Sequence, residues 1–103
     1  MTNIFSDIPD DLPQELFDCL VEGEHVRIER IVSKGHSSPA AGWHNQQRPE
    51  WVMVLRGQAL ISYPNKPSVT LGEGDYVNIA SHEQHRVQWT SAEEVTIWLA
   101  VHY

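Results

Sequence analysis

Gly42-Trp43-His44-Asn45-Gln46-Gln47-Arg48-Pro49-Glu50-Trp51-Val52-Met53-Val54-Leu55-Arg56-Gly57 is the stretch on which the reading of this chain turns. In extended backbone, side chains alternate between faces, so His44, Gln46 and Glu50, all even-numbered, are able to point the same way. Past Glu50, Val52 and Val54 share its face while Trp51, Met53 and Leu55 take the other. A strand that is apolar on both faces and begins with a carboxylate reads as the wall of a small barrel with a polar mouth. A buried carboxylate is costly unless a cation, a hydrogen-bond donor or water answers it, so the stretch marks a candidate metal pocket.

Working outward, the flanking chain is punctuated like an all-β domain. Extended segments are expected from Val26 to Val32, Ala59 to Tyr63, Val69 to Leu71, Tyr76 to Ile79, His85 to Trp89 and Val95 to Tyr103. Turns at Arg56-Gly57-Gln58, Pro64-Asn65-Lys66-Pro67 and Gly72-Glu73-Gly74-Asp75 separate them, the first compatible with an antiparallel hairpin. No strand-helix alternation is present, which favours a sandwich or barrel over an α/β fold. Ahead of the strands, Asp10-Asp11-Leu12-Pro13-Gln14-Glu15 has the acidic cap and early proline of a helix start, and Leu12, Leu16, Phe17 and Leu20 fall on one helical face. A short N-terminal helix, with Cys19 as a buried thiol, is expected there. The domain plan is thus one unit, residues 1–25 as a helical arm and 26–103 as a β-barrel.

Composition sets limits on function. A chain of 103 residues supports one core, and a formal charge of -7, from 14 acidic and 7 basic side chains, disfavours nucleic acid and anionic membranes as partners. No apolar run approaches the roughly 18 residues of a spanning helix, and the N-terminus has no cationic leader; a cytoplasmic location is expected. The single cysteine rules out an internal disulfide and a cysteine-based zinc finger.

Residues 42–57 and 74–85 together resemble the cupins, whose first motif has the form G(x)5HxH(x)3,4E(x)6G and whose second has the form G(x)5PxG(x)2H(x)3N. His44, Glu50 and Gly57 match the first motif, and Gln46 stands at its second histidine; Gly74 and His85 match the second motif, in which Ala80, His82 and Trp89 replace proline, glycine and asparagine. The likeness runs from about Val26 to His102 and is greatest to small stand-alone bacterial members. It implies a double-stranded β-helix, or jelly-roll barrel, in which His44, Glu50 and His85 hold a divalent transition metal such as Fe, Mn, Ni or Zn. Gln46 would either coordinate through its amide oxygen or hold a metal-bound water.

For other residues the reading is plainer. Trp89 shares the parity of His85 and is the candidate pocket wall for a small-molecule ligand or substrate. His102 shares the face of Trp98, pointing either into the barrel or toward a partner subunit. His25, His36 and His82 are read as exposed, His36 alternatively at the pocket rim. The outward apolar positions Trp51, Met53 and Leu55 suggest a homodimer. Three functions fit: a metal-dependent dioxygenase or isomerase on a small oxygenated molecule, a non-catalytic ligand-binding or sensor protein, and a dimeric scaffold with a vestigial pocket.

Overall fold

The computed structural model describes residues 3–38 and 42–103, and its elements are all strands. They are β1 (Leu16–Glu22), β2 (Arg27–Ser33), β3 (Glu50–Arg56), β4 (Ala59–Ser62), β5 (Val69–Leu71), β6 (Tyr76–Ile79), β7 (Arg86–Thr90) and β8 (Thr96–His102). Two antiparallel sheets form, a five-stranded one ordered β1-β2-β8-β3-β6 and a three-stranded one ordered β5-β4-β7. The expected all-β double-stranded barrel is what the chain adopts.

Between the sheets lies a core of Val52, Val54, Ala59, Ile61, Tyr63, Leu71, Ile79 and Trp98, with Ile31, Val69, Val77 and Val87 packed against it. Val52 and Val54, on the face predicted for them, are 4% and 0% exposed, whereas Trp51, Met53 and Leu55 are only half-buried. Trp51 lies on the outer face against Tyr76, their ring centroids 5.4 Å apart.

The N-terminal helix is not formed. Residues 16–22 instead pair antiparallel with β2 through the register Leu16↔Val32 to Glu22↔Arg27, interrupted by a bulge between Cys19 and Val21. Leu16, Asp18 and Leu20 are half-buried and Phe17, Cys19 and Val21 exposed, a period of two where the leucines had suggested nearly four. Cys19 is therefore an exposed thiol. The physical reason is tertiary: β2 has an open edge that β1 covers, and Arg30 of β2, 2% exposed, is answered by Asp18 of β1. Sheet hydrogen bonds and a buried ion pair outweigh a few tenths of a kcal/mol per residue in helix propensity.

The turn at Gly57 also differs from the expected hairpin. β3 pairs with β8 and β6, and β4 with β5 and β7, so Gly57 carries the chain from one sheet to the other. It does so with φ +94°, and a Cβ there would stand 2.5 Å from Thr96 Oγ1 and 2.6 Å from its Cα. Only glycine fits.

Candidate metal centre and ligand cavity

Sheet register brings the polar side chains together. Across β2, β8, β3 and β6, Arg27 is opposite His102, His102 opposite Glu50, and Glu50 opposite Ile79. The next rank on the same face contains Glu29, Ala100 and Val52, and the one after it Ile31 and Trp98. His85 arrives from the other sheet, just before β7, where its N–H and C=O form an isolated bridge with His44 at N···O distances of 3.2 and 2.8 Å.

Glu29, His44, Gln46, Glu50, His85 and His102 line a cavity of about 320 Å³ between the sheets, together with Glu15, Phe17, Ile31, Ser37, Ser38, Val52, Ile61, Ile79, Val87 and Trp98. The volume is at the low end of small-molecule sites. Glu50, Glu29, His85 and His102 retain only 11%, 10%, 7% and 15% side-chain exposure, while His44 is exposed at the mouth.

Each group has a definite arrangement. His85 Nδ1–H donates to the Glu83 carbonyl at 2.9 Å, so the neutral ring carries its lone pair on Nε2, 4.0 Å from Glu50 Oε1. Gln46 Nε2 donates to that same Oε1 at 3.0 Å. His102 Nε2 lies 2.9 Å from Glu29 Oε1 and 3.6 Å from Glu50 Oε2; the short contact puts its proton on the Glu29 side. Arg27 Nε holds the other Glu29 oxygen at 3.4 Å. His44 Nε2 shares a hydrogen bond with Ser38 Oγ at 3.1 Å, and its ring lies 5.7 Å from that of His85.

The donor set suits a divalent transition ion in kind. Imidazole nitrogens and a carboxylate are ligands such ions accept, and the Glu83 carbonyl fixes the His85 tautomer that leaves Nε2 able to coordinate. The arrangement is not a closed cage: among the described residues no group of three His, Cys, Asp or Glu side chains stands ready to hold an ion. His44 is turned to Ser38, and Glu50 is engaged by Gln46.

His102 lines the cavity, as does Trp98, so the inward alternative holds for that face of β8. Trp89 does not line it, and its side chain is 44% exposed. Trp89 does not share the face of His85 because the β4–β7 register jumps from Leu60↔Trp89 to Ile61↔Val87, leaving Gln88 as an extra residue. This bulge turns Trp89 outward while Val87 still faces the cavity and Thr90 is buried. His25 and His82 are exposed as expected, and His36 is half-buried, its Nδ1 accepting from Lys34 N–H at 2.9 Å. Glu15, Phe17 and Glu29 were missed as cavity residues. A period-two reading of residues 15–21 would have put Glu15 and Phe17 on one face, and Glu29 has the parity of Ile31.

A family model described as "Cupin domain" matches residues 28–102. No curated protein matches the chain. Among solved structures, a Ralstonia eutropha protein named "putative mannose-6-phosphate isomerase" is 40% identical, with a TM-score of 0.94 over 99% of this chain and 95% of that one. A cupin superfamily protein from Desulfitobacterium hafniense has a TM-score of 0.74 at 18% identity, over 92% and 82%. An RmlC-like cupin family protein with a double-stranded β-helix fold, from Methanocaldococcus jannaschii, has a TM-score of 0.71 at 18% identity, over 93% and 85%. The last two bear on the fold alone.

Proposed function

The chain belongs to the cupin family, and from that premise we propose that it is a metal-binding cupin acting on a small oxygenated organic molecule held between its sheets. The observation that carries the reading is the meeting of His44 and Glu50 with His85, from a distant part of the chain, in one cavity. His44, Glu50 and His85 would hold a divalent ion, Fe, Mn, Ni or Zn, which when bound supplies a Lewis acid that polarises a substrate oxygen. Gln46 orients Glu50 through its amide N–H, and His102, held by Glu29, offers a hydrogen-bonding group to a substrate hydroxyl. Between isomerase and dioxygenase chemistry, the name of the 40% identical Ralstonia protein favours isomerisation.

Metal analysis tests this reading. Protein purified without a chelating tag and exposed in turn to Fe(II), Mn(II), Ni(II) and Zn(II) is expected to take up close to one equivalent of one of them, and Glu50→Gln or His85→Ala to abolish uptake. Less than about a tenth of an equivalent of every ion would overturn it.

One observation favours a second reading, a metal-free ligand-binding cupin. Gln46 already donates to one oxygen of Glu50, and His102 lies 3.6 Å from the other. That reading expects ligand-induced thermal stabilisation to survive chelation, whereas the metal reading expects it to vanish. In either case a homodimer in the cytoplasm is the proposed assembly, its interface on the outer face where Trp51 meets Tyr76, itself 61% exposed; light scattering returning a monomer mass would remove it.

A further inference from the structure

The chain has seven Lys and Arg side chains, and none lines the cavity. Arg30 is buried on Asp18, Lys66 is bonded to Glu83, and Arg48 reaches the Glu24 carbonyl. Arg56 lies over Phe5 and Arg86 over Trp43, while Lys34 is exposed beyond β2. Arg27 is on the same sheet face, opposite His102, but does not line the cavity; its guanidinium is paired with Glu29 and Glu22. Against these, three carboxylates line the space: Glu15, Glu29 and Glu50.

Phosphate and carboxylate ligands are ordinarily met by Arg or Lys, or by the N–H groups of a helix N-terminus. Among the described residues there is no helix to provide the latter. The remaining wall, Val52, Ile61, Ile79, Val87 and Trp98, is apolar.

We propose that the cavity selects a small uncharged organic molecule, with hydroxyl or carbonyl groups at the His85–Glu50–His102 end and an apolar body against Trp98, and that it rejects the phosphorylated or carboxylated counterpart. This rests on the reading of that cavity as the ligand site. It also separates the chain from what the name of its Ralstonia neighbour suggests, since mannose 6-phosphate carries the charge that this wall repels. Like charges brought together across a site act mainly as discrimination against the wrong partner.

The test uses probes of nearly equal size. Benzyl alcohol and benzoate are titrated into protein kept metal-free with a chelator, so that no bound cation offsets the carboxylates, at about pH 8.5, above the range of free imidazole, following the Trp98 indole N–H resonance, assigned with Trp98→Phe. Benzyl alcohol is expected to shift that resonance and to bind at least about tenfold more tightly than benzoate. The double variant Glu15→Gln/Glu29→Gln is expected to narrow the gap, and mannose 6-phosphate to show no isomerisation by zinc-reconstituted protein. Equal or tighter binding of benzoate, or turnover of mannose 6-phosphate, overturns the proposal. If benzyl alcohol leaves Trp98 unshifted while metal uptake is intact, this assignment falls and the metal reading stands. If the neutral probe is preferred but no metal is taken up, the reverse holds.

Discussion

Arg30 and Glu50 are both charged residues drawn into the body of the protein, 2% and 9% exposed, yet their neighbours treat them differently. Arg30 is answered completely. Its Nε and Nη2 both donate to Asp18 Oδ2, at 2.9 and 2.6 Å, and its Nη1 donates to the carbonyls of Ile4 and Ser6. Among the described residues Glu50 receives one hydrogen bond, from a neutral amide, while its two histidine neighbours stand off at 3.6 and 4.0 Å. A buried charge with every valence filled belongs to the fold, since it has nothing left to offer a ligand. A buried charge with room around it is poised for chemistry.

The comparison is most exposed to failure at Arg30. Removing one partner of a buried pair leaves the other uncompensated, so Arg30→Leu is expected to cost about 3 kcal/mol, a fall in Tm of about 12 °C or more for a domain of this size. Calorimetry returning a loss under about 1 kcal/mol would place Arg30 in the same class as Glu50. Glu50→Gln is expected to leave stability within about 1 kcal/mol of the parent, or to raise it, while metal uptake disappears; a loss as large as that of Arg30→Leu would erase the contrast. Gln46→His, by adding an imidazole where an amide now sits, is expected to tighten metal binding at least about tenfold, and unchanged affinity by competition titration would show that Gln46 is not at the ion. Trp89→Ala, at an outward position, is expected to change stability by no more than about 0.5 kcal/mol in denaturant melts.

The smallest expected effect concerns a pair at the surface, an exposed lysine on a half-buried carboxylate. The Lys66 ammonium, 2.7 Å from Glu83, and the Ala80 N–H hold the Glu83 carboxyl below the usual carboxylate range. Because the folded value is depressed, this contact stabilises fully above the ordinary carboxyl pKa and is lost as pH falls through the depressed one. An NMR titration of Lys66→Met should move the Glu83 midpoint upward; no movement would mean that Ala80 alone sets it.

Much of this was legible in the linear chain. Extended, β-branched segments bounded by turn residues located seven of the eight strands to within a residue or so. His44 and Glu50 were legible from parity, and His85 through the resemblance to the second cupin motif; sheet pairing and a single bridge bring them together. The misses have local causes. At β1 and the residues before it, the leucines at 12, 16 and 20 fit both a helical face and alternate strand positions, and what decides is the open edge of β2 and the need of Arg30 for Asp18, neither visible locally. Trp89 was misplaced by one bulged residue, Gln88, whose effect on parity propagates to the end of its strand. Glu29 looked like one of several interleaved charges; its place opposite Ala100, one rank from His102, depends on which strand lies beside β2.

The bridge between His44 and His85 has a further consequence. Two proposed ligands are joined through peptide groups, each N–H on the other's carbonyl, so the bridge between them does not pass through their imidazoles. The scaffold therefore keeps its coordinates whichever side chains occupy those positions. Such a site is readily inherited and readily rewritten: one substitution exchanges its chemistry, as Gln46 does at the motif's second histidine, while the architecture beneath is passed on unaltered.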